Sequence, residues 1–180
     1  PRRELLEFTR CVIRLFNQHP VLRRRHFFQG RRIRGSEVKD LAWFRPDGKE
    51  MNDEDWNNSE TRCFGLRLAG DAIEELDARG NRIVDDTLLI LLNAYHEAIP
   101  FTLPAHRRKV RWEVVMDTND SQFGKTAHRA MRGGDTYDLK ARSLALLRLP
   151  KLLEGENGGE SRVVPRRARR NGAALSEAPL

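Results

Sequence analysis

Arg62–Gly70, RCFGLRLAG, decides how this chain is read. Phe64, Leu66 and Leu68 alternate with Gly65, Arg67 and Ala69, and a period of two places successive side chains on opposite faces of an extended strand. The expectation is a half-buried strand with the three large apolar residues on the core side. The same period recurs in both directions along the chain. Upstream, VKDLAWF (38–44) runs into Pro46-Asp47-Gly48, a turn sequence. Downstream, Ala78-Arg79-Gly80-Asn81 forms a turn before TLLILLNA (87–94), which is apolar on both faces and so reads as a central strand. VRWEVVMD (110–117) puts Val110, Trp112, Val114 and Met116 on one face. YDLKARSLALLRL (137–149) closes the series as one strand, with Tyr137, Leu139 and Ala141 alternating against Asp138, Lys140 and Arg142. Short strands separated by turns predict a mainly β chain folded as an antiparallel β-sandwich.

Ahead of the strands the period is helical. Leu5, Phe8, Val12, Leu15 and Phe16 line one side of residues 3–18, with Arg3, Glu7, Arg10 and Arg14 largely elsewhere on the wheel. His19-Pro20 ends the helix, because the proline ring disfavours helical angles in the residue before it. A lone helix of this length is marginal in water, so its apolar stripe needs a partner surface. MNDEDWNN (51–58) reads as a short helical turn capped by Asn52, with acids suited to its N-terminus. Beyond Pro150 periodicity fails, and residues 151–180 read as a disordered basic tail rich in Gly, Glu and Arg.

Composition narrows the classes. With 39% hydrophobic residues the chain can build a core, although 33% charge and a mean hydropathy of −0.66 leave little to spare. No apolar run is long enough to span a bilayer, and PRRELLEFTR has no apolar segment of the signal-peptide kind. The absence of an initiator Met and an opening directly on a helix point to a piece of a longer chain. Cys11 and Cys63 form no C-x-x-C pair and sit in apolar patterns, which suits reduced, buried thiols in a cytoplasmic protein. The net charge of +7 is uneven. Residues 1–34 hold ten arginines against two glutamates, a net of +8, so the rest of the chain carries −1.

Candidate chemistry is sparse. His96-Glu97 lacks the second histidine of a zincin helix. DEDW lacks the glycine and distal glutamate of a calcium loop, so a solvated acidic turn is the better reading. No nucleophile elbow, phosphate loop or dinucleotide fingerprint appears, and nothing calls for a metal or a cofactor. The stretch from Arg23 to Arg34 could serve a nucleic acid if its arginines converged and its aromatics were free to stack. Phe27 and Phe28, however, lie between the helix and the first strand, where such residues plug a junction. Of the tryptophans, Trp43 and Trp112 sit in strand patterns and belong to the core. Trp56, in the acidic loop, is the one candidate platform for stacking a sugar ring, which leaves a stand-alone carbohydrate-binding module as an alternative.

A longer pattern of residues ties these readings together. His19-Pro20-x-Leu22-Arg23, Phe27-Phe28-Gln29-Gly30 and Val38-Lys39-Asp40-Leu41-Ala42-Trp43-Phe44 resemble the C-terminal part of bacterial glycogen-debranching enzymes, the isoamylase-type members of glycoside hydrolase family thirteen. The resemblance continues through Asp47-Gly48, Met51, Asp55-Trp56, Cys63, Gly65, Gly70-Asp71, Asp85-Asp86, Leu92-Asn93-Ala94, Phe101-Thr102-Leu103-Pro104, Trp112, Asp117-Thr118 and Ala141-Arg142-Ser143-Leu144. It runs collinearly over residues 3–149 and is most specific from Phe27 to Trp56. In that family a (β/α)₈ barrel precedes a C-terminal β-sandwich. The resemblance implies that residues 1–34 are the last barrel helix and junction, and that 35–150 are the sandwich. It also implies that the partner of residues 3–18 is the missing barrel. The implied substrate is an α-glucan (glycogen or limit dextrin) cleaved at α-1,6 branches, with neither nucleic acid nor membrane as partner. The catalytic carboxylates of such enzymes lie upstream of anything present here. GLRLAGD (65–71) only superficially approaches the family's Gly-x-Arg-x-Asp motif, with Ala69 at the Asp position, and no His is followed by Asp. No catalytic residue is carried over.

Overall fold

The structure is a computed structural model and describes residues 2–32, 38–106, 110–120 and 130–151. Ten elements organise them: helix α1 (Arg2–Gln18), strand β1 (Leu41–Phe44), helix α2 (Asp53–Trp56), and strands β2 (Cys63–Leu68), β3 (Thr87–Asn93), β4 (Ile99–Thr102), β5 (Trp112–Asp117), β6 (Ala130–Met131), β7 (Thr136–Leu139) and β8 (Ser143–Leu149). From residue 152 on, the stretch read as a tail lies outside the described residues.

Six strands form one antiparallel sheet in the order β1-β2-β3-β8-β5-β6, and β4 pairs with β7 in a second, two-stranded sheet. The core between the sheets contains Phe44, Cys63, Leu89, Leu91, Phe101, Trp112, Val114, Tyr137, Leu139 and Leu147. A second cluster lies on the outer face of the large sheet, where Leu68, Leu88, Leu146 and Met116 meet Cys11 and Leu15 of α1 together with Val21 and Ile73. The sandwich expected from the sequence is present, and one of its sheets is apolar on both sides. As expected, β3 is central, sending Leu89 and Leu91 to one cluster and Leu88 to the other.

That double coverage corrects the reading of Arg62–Gly70. Leu68 faces the helix side, while Cys63 and Gly65 face the inter-sheet core, and Phe64 and Leu66 are only half-buried. Gly65 is small because a Cβ there would lie 2.8 Å from Cζ of Phe101. Arg67, expected to face solvent, instead brings its guanidinium 5.3 Å from the Phe44 ring centroid. Two further expectations fail for backbone reasons. Residues 137–149 are two strands in different sheets, because Arg142 adopts φ +47° and turns the chain from β7 into β8. In β5 the register shifts between Val114 and Met116, a bulge that inserts one residue, so Met116 joins the helix-side cluster while Trp112 and Val114 stay inside. Trp112 is core as expected, its Nε1–H donating to the Pro104 carbonyl at 3.1 Å.

Helix α1 ends at Gln18, His19 is extended, and Pro20 opens a 3₁₀ turn over Pro20–Arg23. His19 is buried, and its Nδ1 lies 3.0 Å from Oδ1 of Asp85. The other oxygen of Asp85 accepts from the Val21 N–H at 3.0 Å, so one carboxylate clasps the helix exit to the sheet. Cys11 and Cys63 are both free and buried, and burial pushes the Cys63 thiol up to about 11.

Candidate functional site

Three features could carry function: the free side of α1, an aromatic cluster beside α2, and a cleft lined by residues of α2 and the neighbouring loops. At about 100° per residue, Cys11, Leu15 and Phe8 fall within an arc of roughly 60°, and this is the part of the helix packed on the sheet. Leu5, Val12, Phe16, Ile13 and Leu6 fill about the next 120°, and all five are exposed, Leu5 to 65% and Ile13 to 55%. The apolar face is therefore some three times wider than the sandwich covers.

The aromatic cluster forms because α2 is held against β1. Asn52 caps α2 with a full capping box: its side chain accepts from the Asp55 N–H, and the Asp55 side chain accepts from the Asn52 N–H. Trp56, on the last turn, is 52% exposed and meets Trp43 edge-on, with ring centroids 5.2 Å apart and planes at 84°. Phe64 lies 5.6 Å from Trp43. Trp56 thus stands where the sequence puts it, exposed, whereas Trp43 is half-buried on the outer face and absent from either apolar cluster. The strand period assigned Trp43 to the core. In fact Ala42 and Phe44 take the inward positions of β1, and Trp43 points the other way.

The cleft has a volume of about 500 Å³ and is lined by Arg45, Asp55, Glu60, Arg62 and Tyr95 over Met51 and Ile99. Arg45 is gripped from two sides, with Nε and Nη2 on Asp47 at 3.2 and 2.5 Å and Nη1 on Asp55 at 3.2 Å. The hydrogen bonds from Asp47 and then Asp55 raise the Arg45 pKa above its ordinary value. Arg45 in turn holds Asp47 below the usual carboxylate range. Asp55 is held low first by the Asn52 N–H and then by Arg45. Sequence reading missed this cleft because Arg45, Arg62 and Tyr95 sit on separate loops, and only β-pairing brings them together.

His19, Asp85 and Asp86 place ligand atoms within 4.8 Å of one another, a spacing a cation could use. Their oxygens are already engaged. Asp85 accepts from His19, Val21 and the Asp86 N–H, and Asp86 takes Arg148 at 3.4 Å and the Lys151 N–H at 2.9 Å. Burial raises the Asp85 pKa, but the bonds from His19, Val21 and Asp86 outweigh it and leave the carboxyl below its usual range. This is a fastening. His96 and Glu97 are exposed and 3.9 Å apart.

Residues 40–148 match the family described as "Isoamylase, C-terminal". The chain belongs to that family. The "Glycogen operon protein GlgX homolog" of Mycobacterium tuberculosis is 41% identical over 146 residues, covering 81% of this chain and 20% of that protein. The "Isoamylase" of Flavobacterium sp is 25% identical over 147 residues, 78% of this chain and 18% of its own length. The "Isoamylase" of Pseudomonas amyloderamosa is 24% identical over 147 residues, with 78% and 17% covered. The chain spans about a fifth of the length of the curated relatives it matches. The isoamylase C-terminal match begins at Asp40, the residue that secures the arginine-rich stretch. Its carboxylate accepts from the Gln29 and Gly30 N–H groups at 3.0 and 2.9 Å and pairs with the buried Arg24 at 3.4 Å. Arg24 also lies 4.4 Å from the Phe28 ring centroid. Phe28 therefore packs in the junction as expected, while Phe27 does not: it is 93% exposed. Carboxylates at both ends draw this strap onto the isoamylase C-terminal fold, since Glu75 accepts from the Arg25 N–H at 2.5 Å.

Proposed function

We propose that this chain is the C-terminal region of a cytoplasmic glycogen-debranching enzyme that hydrolyses α-1,6-glucosidic branches in glycogen or limit dextrin. Residues 1–34 are the last helix of its catalytic barrel and the junction, and residues 35–150 are the sandwich that buttresses it. The observation that carries this reading is the two-sided α1, whose packed side rests on the sandwich and whose wider apolar side is exposed. An exposed apolar patch of this size marks a protein interface, and a barrel wall would cover it. The names of the relatives support an enzyme of glycogen.

The sandwich supports the chemistry and does not perform it. Retaining glycosidases need a nucleophilic carboxylate and a carboxylic acid about 5 Å apart, with the acid's pKa raised. Here Asp47, Asp55, Glu75, Asp77 and Asp85 are all held below their ordinary values by hydrogen bonds, which is the wrong direction for a general acid. Trp56 is the residue we assign to contact with glucan at the sandwich surface. Incubating a branched limit dextrin with the 180-residue chain, and separately with the parent polypeptide, tests the reading. The parent should release linear maltooligosaccharides and the chain alone should not; release by the chain alone, or none by the parent, refutes it.

A further inference from the structure

We propose that the cleft between α2 and the β3–β4 connection binds a short run of α-linked glucose units. The identity of the sugar rests on the debranching reading above; the class of ligand rests on the cleft itself. Its volume of about 500 Å³ lies inside the range of roughly 300–1,000 Å³ of small-molecule sites. Arg45 and Arg62 are matched by their neighbours Asp55 and Glu60 in its lining, so its lining charges cancel. A phosphate or polynucleotide site needs uncompensated positive charge, and this cleft has none to offer. A neutral ligand rich in hydroxyls fits, because each hydroxyl both donates and accepts while a guanidinium only donates and a carboxylate only accepts.

Arg45 and Asp55 supply that pair side by side. The bonds to Asp47 and Asp55 use three of the five N–H groups of Arg45, leaving two for a ligand. Asp55 spends one oxygen on Arg45 and the other on the Asn52 N–H, and each retains an acceptor site. Neighbouring hydroxyls on one sugar ring, one accepting and one donating, match this arrangement. The groups are set in advance by the capping box and the Asp47 fork, so little ordering cost remains for binding. Tyr95 adds an aromatic wall. Its backbone is tied at both ends, the N–H to Asn93 Oδ1 at 2.9 Å and the carbonyl to the Arg142 N–H at 3.0 Å. Arg62 closes the rim, its Nη2 3.6 Å from Oε2 of Glu60.

Titrating the purified 180-residue chain with maltoheptaose, followed by calorimetry, tests the proposal. Saturable binding is expected. Tyr95→Ala and Arg62→Ala should each weaken it by about tenfold, the scale of one or two lost contacts, without moving the melting temperature. Phe27→Ala should leave it within about twofold, because Phe27 is exposed and lies outside the cleft. Using two cleft variants guards against one of them misfolding. No saturable binding, or binding retained in both cleft variants, overturns the proposal. Inorganic phosphate competing with the sugar overturns the charge argument. Binding of cellopentaose in place of maltoheptaose, with the same sensitivity to Tyr95 and Arg62, overturns the α-glucan identity and leaves a sugar cleft. That result would differ from failure of the debranching reading, which appears as an inactive parent polypeptide.

Discussion

Replacing Asp85 with alanine should detach the helix from the sandwich. In the folded chain this buried carboxylate accepts from His19 Nδ1 at 3.0 Å, from the Val21 N–H at 3.0 Å and from the Asp86 N–H at 2.7 Å. His19 and Val21 are themselves buried, Val21 completely. Asp85→Ala strands both donors, and each unsatisfied buried group costs about 1–3 kcal/mol, so the loss should be about 3–4 kcal/mol. For a chain of this size 1 kcal/mol corresponds to about 2–4 °C, giving a fall in melting temperature on the order of 10 °C. Asp85→Asn keeps the volume and one acceptor and should lose about half as much. The carboxyl pKa is lowered in the folded chain, so the unfolded state takes up the proton more readily and stability rises with pH through this window. The stabilisation is complete above the ordinary value of 3.8 and fades as pH falls through the lower folded value. Thermal unfolding of wild type and Asp85→Asn should therefore converge in acid and separate at neutral pH. An Asp85→Ala chain within about 0.5 kcal/mol of wild type, or a gap that does not narrow in acid, would refute the clasp.

The two sides of α1 should respond oppositely. Leu15→Ala, on the packed side, should cost about 2–5 kcal/mol by urea denaturation, while Ile13→Asp, on the exposed side, should change stability by less than about 0.5 kcal/mol and reduce binding of a hydrophobic dye. Phe8 packs against the second cluster and cannot make this distinction. Gly65→Ala should destabilise the sandwich by about 1–3 kcal/mol, because its new Cβ meets the Phe101 ring at 2.8 Å; unchanged denaturation would show that the ring can move aside.

Much of this protein is legible in its residues because the relevant physics is local. The stop at His19-Pro20, the Asn52 cap, the period-two runs and the doubly apolar β3 each depend on neighbours a few positions away, and the structure contains all of them. The residues that resemble the isoamylase-type enzymes likewise stand in linear order, and the match over residues 40–148 agrees. The exposure of Trp56 follows from its place at the end of a short acidic helix.

What only the tertiary structure decided concerns which of two faces a side chain takes and which distant loops meet. A period of two assigns residues to alternate faces without saying that both faces of the large sheet are covered, so Leu68 and Cys63 could not be allotted to their separate clusters. One residue of bulge in β5 sends Met116 to the opposite face, and one left-handed residue, Arg142, divides a single apolar run between two sheets. Each is a single-residue backbone event that leaves the apolar pattern unchanged. The cleft of Arg45, Arg62 and Tyr95 depends on pairings such as Phe64 with Leu92, far apart in the chain. Hydrophobic period determines that strands form; sheet register and the covering of faces determine what those strands bring together.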